Sequence, residues 1–168
     1  RSRKVDVLGE RLQPHQLRSL QRAIQLRLGL AFLEKARLYP EPSPDRADAL
    51  VKASEVLRRQ AAIAVNDPTM WQSQLACATT LRLRGNPTAA WAMVEAIRGD
   101  KPPATIQDAL SVEHVELLIV EDRFIDAADF LREYQVTRPQ LNGPLNFLMA
   151  RVFLRLSQIA TEKNRPEL

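Results

Sequence analysis

The residues of this sequence that could do chemistry are two histidines, one cysteine and a group of carboxylates. His114 lies close to Glu113 and Glu116, an arrangement that could supply a metal ligand or a general base. We expect His114 instead to lie at a helix interface with a satisfied hydrogen bond. Cys77 falls within an apolar helical pattern, where we expect an inert thiol, because reactivity needs an exposed and polarising setting.

The carboxylates that follow residue 112 are the densest group of candidate ligands or bases. They are Glu113, Glu116, Glu121, Asp122, Asp126 and Asp129. Their spacing does not isolate two of them in a pocket, so we expect a solvated acidic face. The sequence also lacks zinc-protease, nucleophile-elbow and glycine-rich phosphate-loop motifs. We therefore predict no enzyme activity, no catalytic residue, no cofactor and no metal site.

Composition and charge favour one folded domain with an uneven electrostatic surface. The 168 residues are 45% hydrophobic and 26% charged, which is enough to build a real core. The net charge is +4, but residues 1–60 carry +6 and residues 101–139 carry −4. Such asymmetry can steer association with a partner, and it does not determine the fold.

Apolar runs in the sequence are too short to cross a bilayer, which needs roughly 18 residues or more. The longest run, Leu28–Leu33, has six residues, and no hydrophobic signal segment opens the sequence. We predict no membrane insertion by this segment and slightly favour the cytoplasm. Because the first residue is Arg1, we also expect a piece of a longer protein, which leaves an upstream signal or anchor open.

Prolines mark the start of most predicted helices, because proline suits the first turn, where its missing N–H would be unpaired. Apolar residues spaced three and four apart follow most of them. The pattern predicts an all-α fold of about seven helices. Their expected ranges are 14–38, 45–65, 69–84, 87–98, 105–121, 124–137 and 144–160.

Three segments follow from this pattern. Residues 1–13 are expected to form a basic lead or linker, residues 14–160 a helical repeat domain, and residues 161–168 a polar tail. Gly85 and Gly99 are expected in the left-handed conformation that often ends a helix. One cysteine cannot form an internal disulfide, so packing alone must stabilise the domain.

Two stretches of the sequence repeat one pattern of small and bulky residues. The first contains Trp71, Ala78, Leu81, Gly85, Ala90, Val94, Ile97 and Pro102. The second contains Val115, Leu118, Phe124, Ala127, Leu131, Tyr134 and Pro139. The pattern resembles the tetratricopeptide repeat (TPR), a helix pair of 34 residues. The resemblance covers about 14–160 and is closest over 71–139.

The resemblance implies antiparallel helix pairs stacked as a short right-handed TPR-like solenoid. In that family the first helix of each pair lines a concave groove that holds a peptide or a partner helix. The groove positions carried over to this sequence are Gln72, Thr79, Arg82, Glu113, Glu116, Phe147, Arg151 and Arg155. Arg82 would then either grip a partner's carboxylates or pair with Glu113 and Glu116 in surface ion pairs worth under about 1 kcal/mol each.

These expectations favour a non-enzymatic protein–protein interaction scaffold that binds a protein or peptide partner as a module of a larger protein or complex. The alternative is a nucleic-acid-binding helical repeat, because Arg11, Arg18 and Arg22 fall on one helix face at steps of seven and four, with Arg58 and Arg59 nearby. A third hypothesis is a regulatory domain of an enzyme. Self-association is compatible with the sequence, and the partner's identity, the oligomeric state and the compartment stay open.

Overall fold

The computed structural model describes residues 13–62, 68–138, 140 and 143–163. In these ranges the chain forms seven α-helices and no β-strand, which confirms the predicted all-α class. The helices are α1 (Pro14–Arg37), α2 (Pro44–Ala61), α3 (Pro68–Leu83), α4 (Pro87–Gly99), α5 (Ala104–Val120), α6 (Phe124–Thr137) and α7 (Gly143–Lys163). Helix α7 runs three residues into the predicted polar tail, and residues 1–12 of the predicted lead lie outside the described residues.

Proline begins several helices, as the sequence predicted, and α4 also has a side-chain cap. Pro14, Pro44 and Pro87 occupy the first positions of α1, α2 and α4. The side chain of Asn86 accepts a hydrogen bond from the backbone N–H of Ala89 at 3.1 Å. This bond satisfies one of the N–H groups that a helix leaves unpaired at its start.

The turn between α3 and α4 has the same backbone hydrogen bonds as the turn between α5 and α6. Gly85 (φ 74°) and Asp122 (φ 56°) adopt the left-handed conformation, 37 residues apart. In each turn the amide of the following residue donates to the carbonyl four residues before the left-handed one, at 3.0 Å and 2.9 Å. The two turns therefore share one local backbone geometry at a spacing of 37 residues.

The prediction for Gly99 was wrong. Gly99 is the last residue of α4, and Asp100 caps that helix. The left-handed residue is Lys101, with φ 55°. The amide of Asp100 still bonds the carbonyl of Ala96 at 3.2 Å, so the helical hydrogen-bond pattern continues past the glycine.

The seven helices form two sets that pack differently. Each helix contacts the next one along the chain. The odd-numbered helices also contact one another in order, α1 with α3, α3 with α5 and α5 with α7. Among the described residues, α2, α4 and α6 make no contact with one another. The odd-numbered helices therefore form a continuous layer, and that layer carries every predicted groove residue.

The hydrophobic core consists of three consecutive clusters. The first joins α1, α2 and α3, the second joins α3, α4 and α5, and the third joins α5, α6 and α7. The small residues Ala78, Ala90 and Ala127 are all 0% exposed, as their predicted place at helix crossings requires. Gly29 serves the same purpose in α1, because an added Cβ would lie 2.6 Å from the Leu57 side chain.

Within the described residues, no helix combines the length and the apolar content that crossing a membrane requires.

Candidate functional site

Predicted groove residues from α3 and α5 meet in one polar network. Thr79 and Arg82 share a face of α3, because residues three apart lie on the same side of a helix. Arg82 donates two hydrogen bonds to Glu113 of α5, from Nε to Oε1 at 2.7 Å and from Nη2 to Oε2 at 3.1 Å. The Thr79 hydroxyl donates to Oε2 of the same carboxylate at 2.8 Å. Glu113 thus accepts three hydrogen bonds from α3.

The pair of Arg82 and Glu113 is buried, with 9% and 5% of the two side chains exposed. This corrects the expectation of surface ion pairs and, for Glu113, the expectation of a solvated acidic face. Burial acts to lower the pKa of Arg82, but the hydrogen bonds and charge of Glu113, with the charge of Glu116, hold that pKa above its ordinary value. The guanidinium is therefore charged and already occupied within the protein.

Glu116 extends the network to α7. Its Oε2 lies 3.6 Å from Arg82 Nη1, and Arg151 Nη1 lies 3.3 Å from both of its carboxylate oxygens. Two cations and two carboxylates therefore link α3, α5 and α7, and their formal charges cancel. The predicted placement of Arg82 beside Glu113 and Glu116 is confirmed. These four side chains form one network of ion pairs that joins three helices.

The exposed part of the predicted site lies on α7. Phe147 is 67% exposed, and Leu154, two helical turns later on the same face, is 62% exposed. The side chains of Arg151 and Arg155 are 46% and 44% exposed. We call Phe147, Ala150, Arg151, Leu154 and Arg155 the α7 surface. It is an apolar helix face with two cations along one edge.

Three predicted site residues, Gln72, Phe147 and Arg155, do not join the polar network. Gln72 is exposed near the start of α3. Arg155 points its guanidinium over the Phe124 ring, 5.9 Å from the centroid, and its Nη1 lies 3.9 Å from Glu162. The structure thus brings Thr79, Arg82 and the two glutamates together and keeps the α7 surface open.

His114 is held between three helices, which confirms its predicted place at a helix interface. Its ring meets Trp91 edge to face at 4.8 Å and stacks on Phe130 at 4.3 Å between centroids. Nη2 of Arg98 lies 2.8 Å from Nδ1, and since arginine only donates, the neutral ring carries its proton on Nε2. Burial, followed by the charges of Arg98 and Arg123, lowers the pKa of His114 to about 4. His114 is therefore neutral at pH 7.

A cleft of about 350 Å³ lies beside His114. It is lined by Trp91, His114, Leu118, Glu121, Arg123 and Asp126. Several of its polar groups bind one another: Trp91 Nε1 donates to Glu121 at 2.9 Å, and Arg123 Nε donates to Asp126 at 2.7 Å. These bonds stabilise the cleft wall and use groups that a ligand would otherwise contact.

Cys77 is buried in the cluster that α3 shares with α1 and α2. Burial raises the pKa of its thiol to about 11, although the nearby charge of Arg58 acts to lower it. The thiol is therefore protonated at neutral pH, and the predicted place of Cys77 in the core is confirmed. In the part of the chain that the structure describes, no group of three or more potential ligand side chains is placed to hold a metal ion.

A polar cluster between α5 and the end of α6 was missed by the sequence prediction. The Tyr134 hydroxyl donates to Asp108 Oδ1 at 2.5 Å, and Arg138 forms an ion pair with the same carboxylate. Arg138 also donates to Gln107 Oε1 at 2.9 Å. Burial, and then the hydrogen bond to Asp108, raises the pKa of Tyr134. The partners are 26 to 31 residues apart, so no local spacing reveals them.

The basic residues behind the nucleic-acid hypothesis are placed unevenly. Arg11 lies outside the described residues. Arg18 is exposed on α1, while Arg22 is half-buried. Arg58 and Arg59 are exposed near the end of α2. Three of the five arginines are therefore open to solvent, on two different helices.

Comparison with protein-family models, with curated proteins and with solved structures gives no match. We therefore base the proposed function on the contacts and the exposed helix faces described above.

Proposed function

We propose that the chain is a non-enzymatic interaction scaffold of the TPR-like class, which binds a protein or peptide partner across its odd-numbered helices. Two observations support the TPR-like arrangement. The α3–α4 and α5–α6 turns share their left-handed residue and hydrogen bonds at a spacing of 37 residues. The odd-numbered helices form a continuous layer, which is where a stack of helix pairs would place its groove.

The observation that carries the proposal is the α7 surface. Large apolar side chains that lie together on one exposed helix face with polar groups at its edge are typical of contact sites, because burying them in a partner removes them from water. Phe147 and Leu154 are two such side chains on one face, and Arg151 and Arg155 lie along its edge. Aromatic and arginine side chains are the types that dominate binding energy at protein interfaces.

The buried network has a supporting role in this proposal. Because Arg82 is saturated by Glu113 and Glu116, it positions α3 against α5 and does not bind a partner directly. Arg151 connects that rigid base to the exposed face of α7. The predicted groove residues therefore form two groups, a polar network that is buried between helices and an exposed face on α7.

Support for a non-enzymatic role comes from His114. Its ring is packed against Trp91 and Phe130, and its Nδ1 is bound by Arg98. A pKa of about 4 makes the imidazole a weak base at neutral pH. These contacts explain the histidine as part of the packing between α4, α5 and α6.

The test is capture of partners from a lysate of the source organism, with and without nuclease. The test variant is Phe147→Ser with Leu154→Ser, and the matched control is Ile125→Ser with Val136→Ser on α6, where the replaced side chains are 68% and 81% exposed. We expect at least one protein to be retained after nuclease by the wild type and the control, and lost from the test variant. Equal retention by all three proteins would contradict the proposal.

The same experiment decides the nucleic-acid alternative, which the exposed Arg18, Arg58 and Arg59 favour. Binding through these groups would depend steeply on salt, because cations released from the nucleic acid drive it. Retention that disappears with nuclease and falls in an Arg58→Gln, Arg59→Gln variant would replace the scaffold proposal with this one.

A further inference from the structure

Helix α1 exposes a narrow line of aliphatic side chains. Leu17, Leu20, Ile24 and Leu28 are 51%, 49%, 55% and 42% exposed. At 100° per residue these four side chains span about 80° of the helix circumference. The opposite face of α1 is buried and contains Leu26, Gly29, Leu33 and Ala36. We call the four exposed residues the α1 stripe.

On α3 and α5, the residues that correspond to Leu28 of the α1 stripe each contact the preceding helix. Cys77 of α3 packs in the cluster that contains α2, and His114 of α5 contacts Trp91 of α4. Each of the two directly precedes a residue that is 0% exposed. Leu28 directly precedes the buried Gly29 in the same way. Within the described part of the chain no helix comes before α1, so the equivalent face is open.

The part of α1 that contains the α1 stripe, residues 14–33, carries charges of one sign. Residues 13–33 contain Arg18, Arg22 and Arg27 and no acidic residue. Arg18 and Arg27 are exposed. Arg27 lies at about 20° from Leu20 around the helix, so a helix seated on the stripe would meet its guanidinium. An occupant with carboxylates beside its apolar seam would be complementary in charge.

We propose that the α1 stripe is a second docking surface, which binds an amphipathic helix of a partner protein whose apolar seam is flanked by acidic side chains. The surface is separate from the α7 surface, because the two lie on the first and the last described helices. The proposal therefore does not depend on what binds α7.

The segments of this chain that could cover the α1 stripe are basic, like the arginines beside the stripe. Residues 1–12 contain four basic and two acidic side chains. A second copy that paired α1 with α1 around a two-fold axis would bring the same arginines together, which costs free energy. The α7 surface of a second copy is also basic, with Arg151 and Arg155. An acidic partner helix is the occupant that the charges favour.

An anionic lipid surface would share the sign of that partner. Helices that lie in a lipid interface present a broad apolar face to the acyl chains. The α1 stripe is instead one side chain wide on a helix whose other side is packed against α2 and α3. A narrow seam of this kind matches a single helix, as in helix-in-groove and coiled-coil contacts.

The test uses two labelled synthetic peptides, each a helix with leucines spaced three and four apart. Glutamates flank the seam in one peptide and lysines flank it in the other, and binding is followed by fluorescence anisotropy. We expect the glutamate peptide to bind at least about tenfold more tightly than the lysine peptide. Ile24→Ser with Leu28→Ser, and separately Arg18→Gln with Arg27→Gln, should each weaken that binding by about tenfold or more.

The control variant Ile125→Ser with Val136→Ser on α6 should bind the glutamate peptide as the wild type does, and circular dichroism checks that every variant is folded. No binding of the glutamate peptide, or equal binding of the two peptides, would overturn the proposal. So would co-sedimentation with phosphatidylserine vesicles that the α1 variants abolish, or a dimer in sedimentation analysis that they dissociate. Loss of binding in the control variant would assign the contact to α6 and would also overturn the proposal.

Discussion

Replacing Glu113 by glutamine should destabilise the protein far more than a surface charge change does. The glutamate side chain is 5% exposed and accepts hydrogen bonds from Arg82 and Thr79. Glu113→Gln leaves a buried guanidinium without its main counter-charge, and breaking a buried pair in this way costs about 3–5 kcal/mol. Because Glu116 stays 3.6 Å from Arg82, we expect the lower end, about 3 kcal/mol.

The assay is urea unfolding followed by circular dichroism at the helical band, with thermal unfolding as a second measurement. For a chain of this size about 3 kcal/mol corresponds to a fall in Tm of about 6–12 °C. The control is Asp129→Asn, which removes an exposed ion pair with Arg132 in which the side chains are 59% and 60% exposed. We expect that control to cost under about 1 kcal/mol.

A double variant separates the charge effect from loss of packing. Arg82→Met with Glu113→Met removes both buried charges and should lie within about 1 kcal/mol of the wild type. Thr79 then keeps the Leu75 carbonyl as an acceptor at 3.2 Å. The reasoning is refuted if Glu113→Gln costs under about 1 kcal/mol, or if the double variant is as unstable as the sum of its single variants.

Three further predictions follow from buried groups. Ala127→Leu should cost about 1–3 kcal/mol by overpacking a site that is 0% exposed, and an unchanged urea midpoint would remove Ala127 from the helix crossing. The pKa of His114 is lower in the folded state than in the unfolded state. The contribution of His114 to the free energy of unfolding is therefore complete above pH 6.5 and is lost as the pH falls toward about 4. A His114→Gln variant should therefore lose less stability than the wild type between pH 7 and 4, and parallel profiles would contradict this. Cys77 should react with a thiol reagent only as fast as the protein opens, and rapid labelling of the folded protein would refute its burial.

The helices could be predicted because their start signals are local. Proline at a first turn, with apolar residues three and four apart, needs no knowledge of the rest of the fold. Gly85 was also predictable, because an exposed left-handed position strongly favours glycine. Gly99 was not, since Lys101 adopts the left-handed conformation two residues later. Gly99 ends α4 and Lys101 lies in the connection that follows, and local preference does not choose between the two positions.

The interior of the site could be predicted only in part. The repeat frame placed Arg82 beside Glu113 and Glu116 correctly, because the two glutamates are three residues apart on one face of α5 and that face packs against α3. It did not predict burial, since a sequence shows a charged residue without showing how many helices surround it. Glu113 lies on α5, which packs against four other helices, and this removes Glu113 from the solvated acidic face, on which Glu121, Asp122, Asp126 and Asp129 stay exposed.

The cluster of Tyr134, Asp108 and Arg138 could not be predicted from the sequence for a related reason. It depends on the relative positions of the start of α5 and the end of α6, which side-chain spacing within one helix does not determine. The open surfaces were predictable in one case only. Phe147 was placed in the groove by the repeat frame, whereas the α1 stripe emerged once the packing of α1 against α2 and α3 was known.

The measurement that tests the central claim most directly is site-specific photo-crosslinking in a nuclease-treated lysate. A photoreactive phenylalanine analogue replaces Phe147 on α7 or, as the control, Ile125 on α6, where exposures are 67% and 68%. Because the two side chains are equally accessible, any difference reports the surface and not the exposure. The account predicts protein adducts from position 147 and few from position 125. Equal yields at both positions, or none at 147, would contradict a partner-binding surface on α7.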